Sequence, residues 1–326
     1  MFHEFALEPG VVAYWCDRAG YSAFMKRFGI DARRIVSRYP KRWVSEFETA
    51  FIQKYPNASY QQKLRKTELI NFLTKNTVKR SAVNYDGTIR WLENAESEQS
   101  QRPFGGIVAE DNPRGNPAVT VIRSADDILE KLDLLPPGSY VVKRTAEDMA
   151  AVVMPLLRCC NYAVFVDPHF DAKKRFIEPF RHFMTQLVCN RVAASTPTIE
   201  LHLAVDNQMN PPQEQREAAQ RIAALQRQLP EVIPTGHKIK VVVWRERLRG
   251  QKLHNRYILT DIGSVSFGVG LDCNEESFHQ SLEQFQTDDV SCLSETHHDS
   301  RWSEYISAPA FDKVAEDTII GTMVRT

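Results

Sequence analysis

Residues 252–261 read KLHNRYILTD. His254 is followed two places later by Arg256, and five places after that by Asp261. An imidazole can attack phosphorus or pass a proton near neutral pH. A guanidinium is a forked, permanently charged donor for phosphate oxygens. A carboxylate can orient an imidazole and stabilise its cation. The run RYILT reads as a strand, along which alternate side chains share a face. His254 and Arg256 are therefore expected to project together, with Asn255 opposed and Asp261 brought back by a turn at the strand end. Such a set suits chemistry on a phosphate. The plainer alternative is a half-buried strand whose polar residues meet solvent or one another.

Immediately upstream, WRERLRGQK supplies Arg245, Arg247, Arg249 and Lys252 beside Trp244. A basic stretch leading into a phosphate site suits a phosphate-rich polymer, although a solvated loop would have the same composition. Asp167, His169 and Asp171 in VDPHFD have metal-ligand types. At a strand end they more simply shape a turn beside a cleft, with His169 lining it. Glu295, His297, His298 and Asp299 form a second cluster, read as an exposed acidic loop.

With these residues in view, the segment resembles the H-x-K-x4-D motif of the phospholipase D superfamily, with Arg256 in the lysine position. The spacing continues: six residues, IGSVSF, lead from Asp261 to Gly268. Where that family then has serine and asparagine, this chain has Val269 and Leu271, with Asp272 and Asn274 just beyond. The resemblance covers roughly residues 145–326. It implies phosphodiester cleavage with neither metal nor cofactor. His254 would attack phosphorus, Arg256 would hold the phosphate, Asp261 would complete the motif, and Asn274 would be a substrate contact. The family mechanism uses two histidines and this chain has one motif, so the resemblance also implies a homodimer. Single-motif members are commonly nucleases, and such domains joined to helical modules resemble effectors of bacterial nucleic-acid defence. A catalytically inactive dimerising or scaffold module is the alternative.

The elements that must position these residues follow from patterning. Ser124 with Asp127, and Thr145 with Asp148, are helix-capping pairs. Between 145 and 268, apolar strands (NYAVFV, IELHLAV, KIKVVVW, RYILT, SVSFGVG) are separated by helical stretches at 172–190 and 211–229. Strands alternating with helices imply an α/β fold, a mixed sheet flanked by helices. Residues 11–93 read as mainly helical, with Phe47, Phe51 and Ile52 on one stripe and Leu64, Leu69, Ile70, Phe72 and Leu73 on another. Residues 93–117 read as a linker with a short strand at 106–109. The domain boundary is expected at 144/145, with the first domain recruiting substrate or a partner protein.

The chain has 326 residues, of which 43% are hydrophobic and 25% charged, and a formal net charge of +0. That balance excludes indiscriminate coating of nucleic acid but not a local basic surface. Basic residues concentrate between Tyr21 and Arg80, including the pairs Arg33-Arg34 and Lys79-Arg80, interleaved with Phe28, Tyr39, Trp43, Tyr55 and Tyr60. Acids dominate between Glu275 and Asp317. The basic section suits an anionic partner such as nucleic acid, or docking onto the acidic one. Six cysteines without a CxxC pair suit a reducing, cytoplasmic setting, with Cys159 and Cys160 as core filler. No stretch approaches the roughly 20 apolar residues of a membrane span, and the first residues do not read as a signal peptide.

Overall fold

The computed structural model describes residues 1–75, 77–80, 85–132, 138–189, 191–193, 195–206, 210–273 and 286–324. The chain divides into two compact units. One is Phe2–Pro137 with Val192–Ala194; the other is Gly138–Arg191 and Ser195–Thr326 with Met1.

The first unit is α/β. Its helices are α1 (Pro9–Tyr14), α2 (Arg18–Arg27), α3 (Trp43–Lys54), α4 (Tyr60–Lys75), α5 (Trp91–Gln101) and α6 (Ala125–Lys131). Among them runs a parallel sheet of β1 (His3–Leu7), β2 (Arg34–Ser37), β3 (Thr77–Val78), β4 (Gly106–Ala109) and β5 (Val119–Val121), in the order β3-β2-β1-β4-β5. The sheet is an addition to the helical reading. Its strands are short and buried on both faces, so they lack the alternation that marks a half-exposed strand. The strand expected at 106–109 is β4. The rest of the expected linker is ordered: its first part is α5, capped by Glu93 reaching back to the Arg90 N–H.

Packing in this unit follows the stripes in part. Phe47, Phe51, Leu69 and Leu73 are buried, whereas Ile52 and Leu64 face solvent. Phe28, Tyr39 and Trp43 are core residues, and Trp43 donates its indole N–H to Leu7 O at 2.6 Å. Of the interleaved aromatics, Tyr60 is the one that is exposed, at 76%. Two of the basic residues are also internal. Arg34 is buried, and Arg80 is buried between Glu4 and Glu98.

The second unit is built on an eight-stranded mixed sheet. Its strands are β6 (Ser139–Lys143), β7 (Tyr162–Val166), β8 (Thr198–Ala204), β9 (Lys238–Arg245), β10 (Arg256–Thr260), β11 (Gly263–Phe267), β12 (Thr287–Cys292) and β13 (Asp312–Ile320), in the order β13-β9-β8-β7-β10-β11-β12-β6. β7, β8 and β9 are parallel to one another, while β10 runs antiparallel to β7. The helices are α7 (Ala146–Leu157), α8 (Lys174–Met184), α9 (Pro211–Gln228) and α10 (Glu295–Trp302). Thr145 caps α7 by accepting from Asp148 N at 3.1 Å, and Ser124 caps α6 through Asp127 in the same way.

This unit starts ahead of the expected boundary because β6 pairs with β12 as an edge strand of the sheet. Cys159 and Cys160 are buried, as their apolar surroundings suggest. Among the described residues, no helix is long and apolar enough to cross a membrane.

Candidate active site

The candidate site lies at one end of the second unit's sheet. β7, β8 and β9 finish there, and β10 starts there because it runs antiparallel to β7, with Tyr257 opposite Val166. Ligands of α/β sheets characteristically meet the carboxyl ends of parallel strands. An open cleft of about 610 Å³ lies at this end, its walls including His169, Asp171, Val205, Asp206, Glu246 and Leu253.

His254 stands beside that cleft. Leu253, the residue before it, is buried in the cleft wall, and its N–H donates to Glu246 Oε1 at 2.8 Å. His254 itself is exposed, as is Asn255, and both precede the first residue of β10. The pleat expected to align His254 with Arg256 therefore begins only at Arg256. Arg256 is half-buried, and its Nε has no hydrogen-bond partner among the described residues. Its charge acts on Asp167, at the end of β7. Burial raises the pKa of Asp167, and N–H donors from Leu271 and His169 together with the Arg256 charge oppose that rise.

Asp261 does not join this set. It follows the far end of β10, about 16 Å along the chain from Arg256 at the usual strand rise. Its carboxylate accepts from Asn161 N at 2.8 Å, Tyr162 N at 3.2 Å and Asn161 Nδ2 at 3.2 Å, tying the β10–β11 turn to the start of β7. The turn back toward His254 is thus not made, because a five-residue strand separates the two groups. Asp261→Ala is expected to cost about 1–3 kcal/mol of stability, the usual value of hydrogen bonds to a charged acceptor. Urea titration checks this.

Residues that the motif alone does not indicate take over the organisation of this end. The segment after β11 is held by two buried carboxylates. Asp288 accepts from Gly268 N at 2.8 Å, Val269 N at 3.0 Å and Gly270 N at 3.3 Å, while Asp167 accepts from Leu271 N at 2.9 Å. A Cβ at Gly270 would stand 2.5 Å from Asp272 Oδ1, so a larger residue there would have to displace that carboxylate. Asp272 accepts from Arg144 at 2.6 Å and lies 3.6 Å from Arg175 Nε. Arg144, just after β6, and Arg175, in the first turn of α8, thus meet at Asp272. The one signal for this in the sequence is KKR at 173–175. It puts three cations at the start of α8, where the helix dipole disfavours each by roughly 0.3–1 kcal/mol, and that first turn carries no acid. Asn274 lies outside the described residues.

The basic run before the motif is largely spoken for. Arg245 pairs with Glu214 and Asp312, both at 3.1 Å. Arg247 pairs with Asp312 at 2.9 Å, and Lys252 with Glu246 at 3.1 Å. Arg249 has no hydrogen bond or ion pair with a described residue. These pairs are exposed on at least one side, so each is worth little and can exchange for a ligand phosphate.

The cleft itself is acidic. Asp171, Asp206, Glu217 and Glu246 line it, and its one arginine, Arg221, is turned onto the carbonyl oxygens of Ala204, Pro168 and Phe170. Among the described residues, no three His, Cys, Asp or Glu side chains come together as metal ligands. Asp167 is occupied by backbone N–H groups. The 295–299 cluster is helix α10 rather than a loop. His298 is buried against Ser264 Oγ at 2.7 Å, and burial lowers its pKa.

No protein-family model matches the chain, and no curated protein matches it. Among solved structures, the crystal structure of a polyphosphate kinase from Porphyromonas gingivalis is similar over 62% of this chain and 33% of that one. The sequence identity is 11% and the TM-score 0.28. The match thus spans about a third of the length of that protein.

Proposed function

We propose that this chain is a metal-independent phosphodiesterase of phospholipase D type, acting as a nuclease at a site completed by a second copy. The observation that carries the proposal is Arg256: a half-buried cation beside His254, at the cleft end of the sheet, with an Nε that no described residue satisfies. A buried donor left without a partner is costly, and a phosphate oxygen is the acceptor that suits a guanidinium best.

In this reading His254 attacks phosphorus. The new N–P bond forms as the P–O bond to the leaving group breaks. The departing oxygen takes a proton from His254 of the second copy. That imidazole then takes a proton from water, whose oxygen displaces His254 and yields a phosphomonoester. Asp261 has no part in these steps, and Asp167 and Asp288 keep the backbone around the site in place. The first unit, with its basic surface, would recruit substrate or a partner protein, and a setting in bacterial nucleic-acid defence fits that division.

A second reading, an inactive dimerising or scaffold module, is favoured by one observation. Val269 and Leu271 stand where the family has serine and asparagine, and Leu271 is fully buried with its N–H bonded to Asp167. The two readings part in one assay. The purified chain is incubated with labelled DNA and RNA in EDTA; one aliquot is quenched in neutral formamide to read cleavage, and a second in alkali to preserve phosphohistidine. The nuclease reading expects cleavage and an alkali-stable phosphohistidine intermediate; no cleavage of either polymer would leave the scaffold reading.

Arg256 gives a graded test. Arg256→Lys keeps a cation and should retain a measurable fraction of the rate, whereas Arg256→Ala should lose about 10²-fold or more in kcat/KM. Equal rates in all three proteins would show that this side chain does not touch the reacting phosphate.

A further inference from the structure

The ten residues between β9 and β10 lead directly into His254, and their apex is built to protrude. Gly250 N donates to Arg247 O at 2.8 Å, which closes a tight turn with Leu248 and Arg249 at its centre. Arg249 holds a left-handed backbone, φ 60, that glycine or asparagine adopts more readily. Leu248 is 95% exposed, the highest value among the exposed large apolar side chains described. The stem below the turn is pinned by Arg247 to Asp312 and by Lys252 and Leu253 to Glu246.

The chemistry around the tip selects its partner. A protein-docking surface needs a contiguous apolar patch, but the chain around the 95% exposed Leu248 is polar: Arg247, Arg249, Gly250, Gln251 and Lys252. A lone apolar side chain between cations matches the wedge that proteins insert between stacked bases, with the cations taking the adjoining phosphates. The acidic cleft repels a phosphate backbone, which directs it to the cations of the loop and of the first turn of α8. The six residue-to-residue steps from Leu248 to His254 span at most about 20 Å, or about six base-pair steps.

We infer that Leu248 is a base-stack wedge. It enters a step of double-stranded nucleic acid within a few nucleotides of the scissile phosphate, and Arg249 binds the phosphate beside that step. The inference rests on the nuclease reading for its substrate, and its test reads unstacking instead of cleavage.

A duplex carrying 2-aminopurine at successive positions is titrated with the full chain bearing His254→Ala, in EDTA. Emission should rise at one or two positions on binding. Adding Leu248→Ser should abolish that rise and weaken binding about tenfold, while Leu248→Phe should preserve both. Light scattering on each variant reports the oligomeric state.

Unchanged emission and affinity in Leu248→Ser would overturn the wedge. So would a loss accompanied by dissociation of an oligomer, since Leu248 would then be a protein contact. Cleavage by the wild type with no emission change at any position would remove the wedge and leave the nuclease reading. An emission rise that depends on Leu248, in a protein whose wild type cleaves nothing, would keep the wedge and remove the nuclease reading. Absence of nucleic-acid binding would overturn both.

Discussion

His254→Ala is expected to lower phosphodiester cleavage by at least about 10³-fold, because it removes the nucleophile itself and not a contact that tunes it. The fold should be unchanged. His254 is exposed and precedes β10, so its side chain contributes nothing to the core. EDTA should have little effect on the wild-type rate. Mixing wild type with an excess of His254→Ala chains should pull down the activity per wild-type chain, provided subunits exchange, because a mixed pair holds one imidazole where the mechanism uses two. Cleavage that disappears in EDTA and survives His254→Ala would show that another site does the chemistry. An active protein that is strictly monomeric would point to a second acid within one chain. His169, exposed on the cleft wall, would then be the first residue to replace.

The largest effect on stability is expected at Arg80 in the first unit. Its guanidinium donates to Glu4 Oε1 at 2.8 Å and Glu4 Oε2 at 2.7 Å, to Glu98 Oε1 at 2.6 Å and to Arg102 O at 2.8 Å. It also lies over the Phe104 ring at 3.8 Å. Glu4 and Glu98 are themselves buried, at 2% and 5% exposure. Arg80→Ala would remove the guanidinium between two buried carboxylates, of which Glu98 keeps Arg102 at 2.8 Å, and removing one partner of a buried pair costs about 3–5 kcal/mol. In a unit of this size that corresponds to a fall of roughly 10–20 °C in the midpoint of its unfolding. Calorimetry should show this loss in one transition. Neutralising a carboxylate as well, in Glu4→Gln with Arg80→Met, should recover part of it. A midpoint within a degree or two of wild type in Arg80→Ala would mean that the three side chains do not form this network in solution.

Local pattern determined much of the second unit. Alternation and apolar runs carry the strands β7 to β11, and Thr145 carries the start of α7, as Ser124 does for α6 in the first unit, because these depend on neighbours in the chain. The sequence places His254 and Arg256 two residues apart at the start of a strand, but the strand begins at Arg256, so the pleat expected to align them does not include His254. Spacing of this kind could not place Asp261. A five-residue gap reads as proximity until the chain is extended, and an extended strand then turns it into separation. In the first unit, the short strands HEFAL, RIVS and GIVA are buried on both faces, so they lack the period that would distinguish them from helix.

Only the tertiary structure decided which charges are available. Arg80 sits in a basic section of the sequence, yet Glu4, 76 positions away, makes it part of a core. Arg245 and Arg247 head the basic run before the motif, yet Asp312, 67 and 65 positions on, engages them both. Arg144 and Arg175 carry no motif, and Asp272 and the sheet order bring them to the site. Charge is a property of the residue and is written in the sequence. Whether a charge meets a counter-ion or a ligand depends on which strands become neighbours, and that is settled when the sheet assembles its order from elements far apart in the chain.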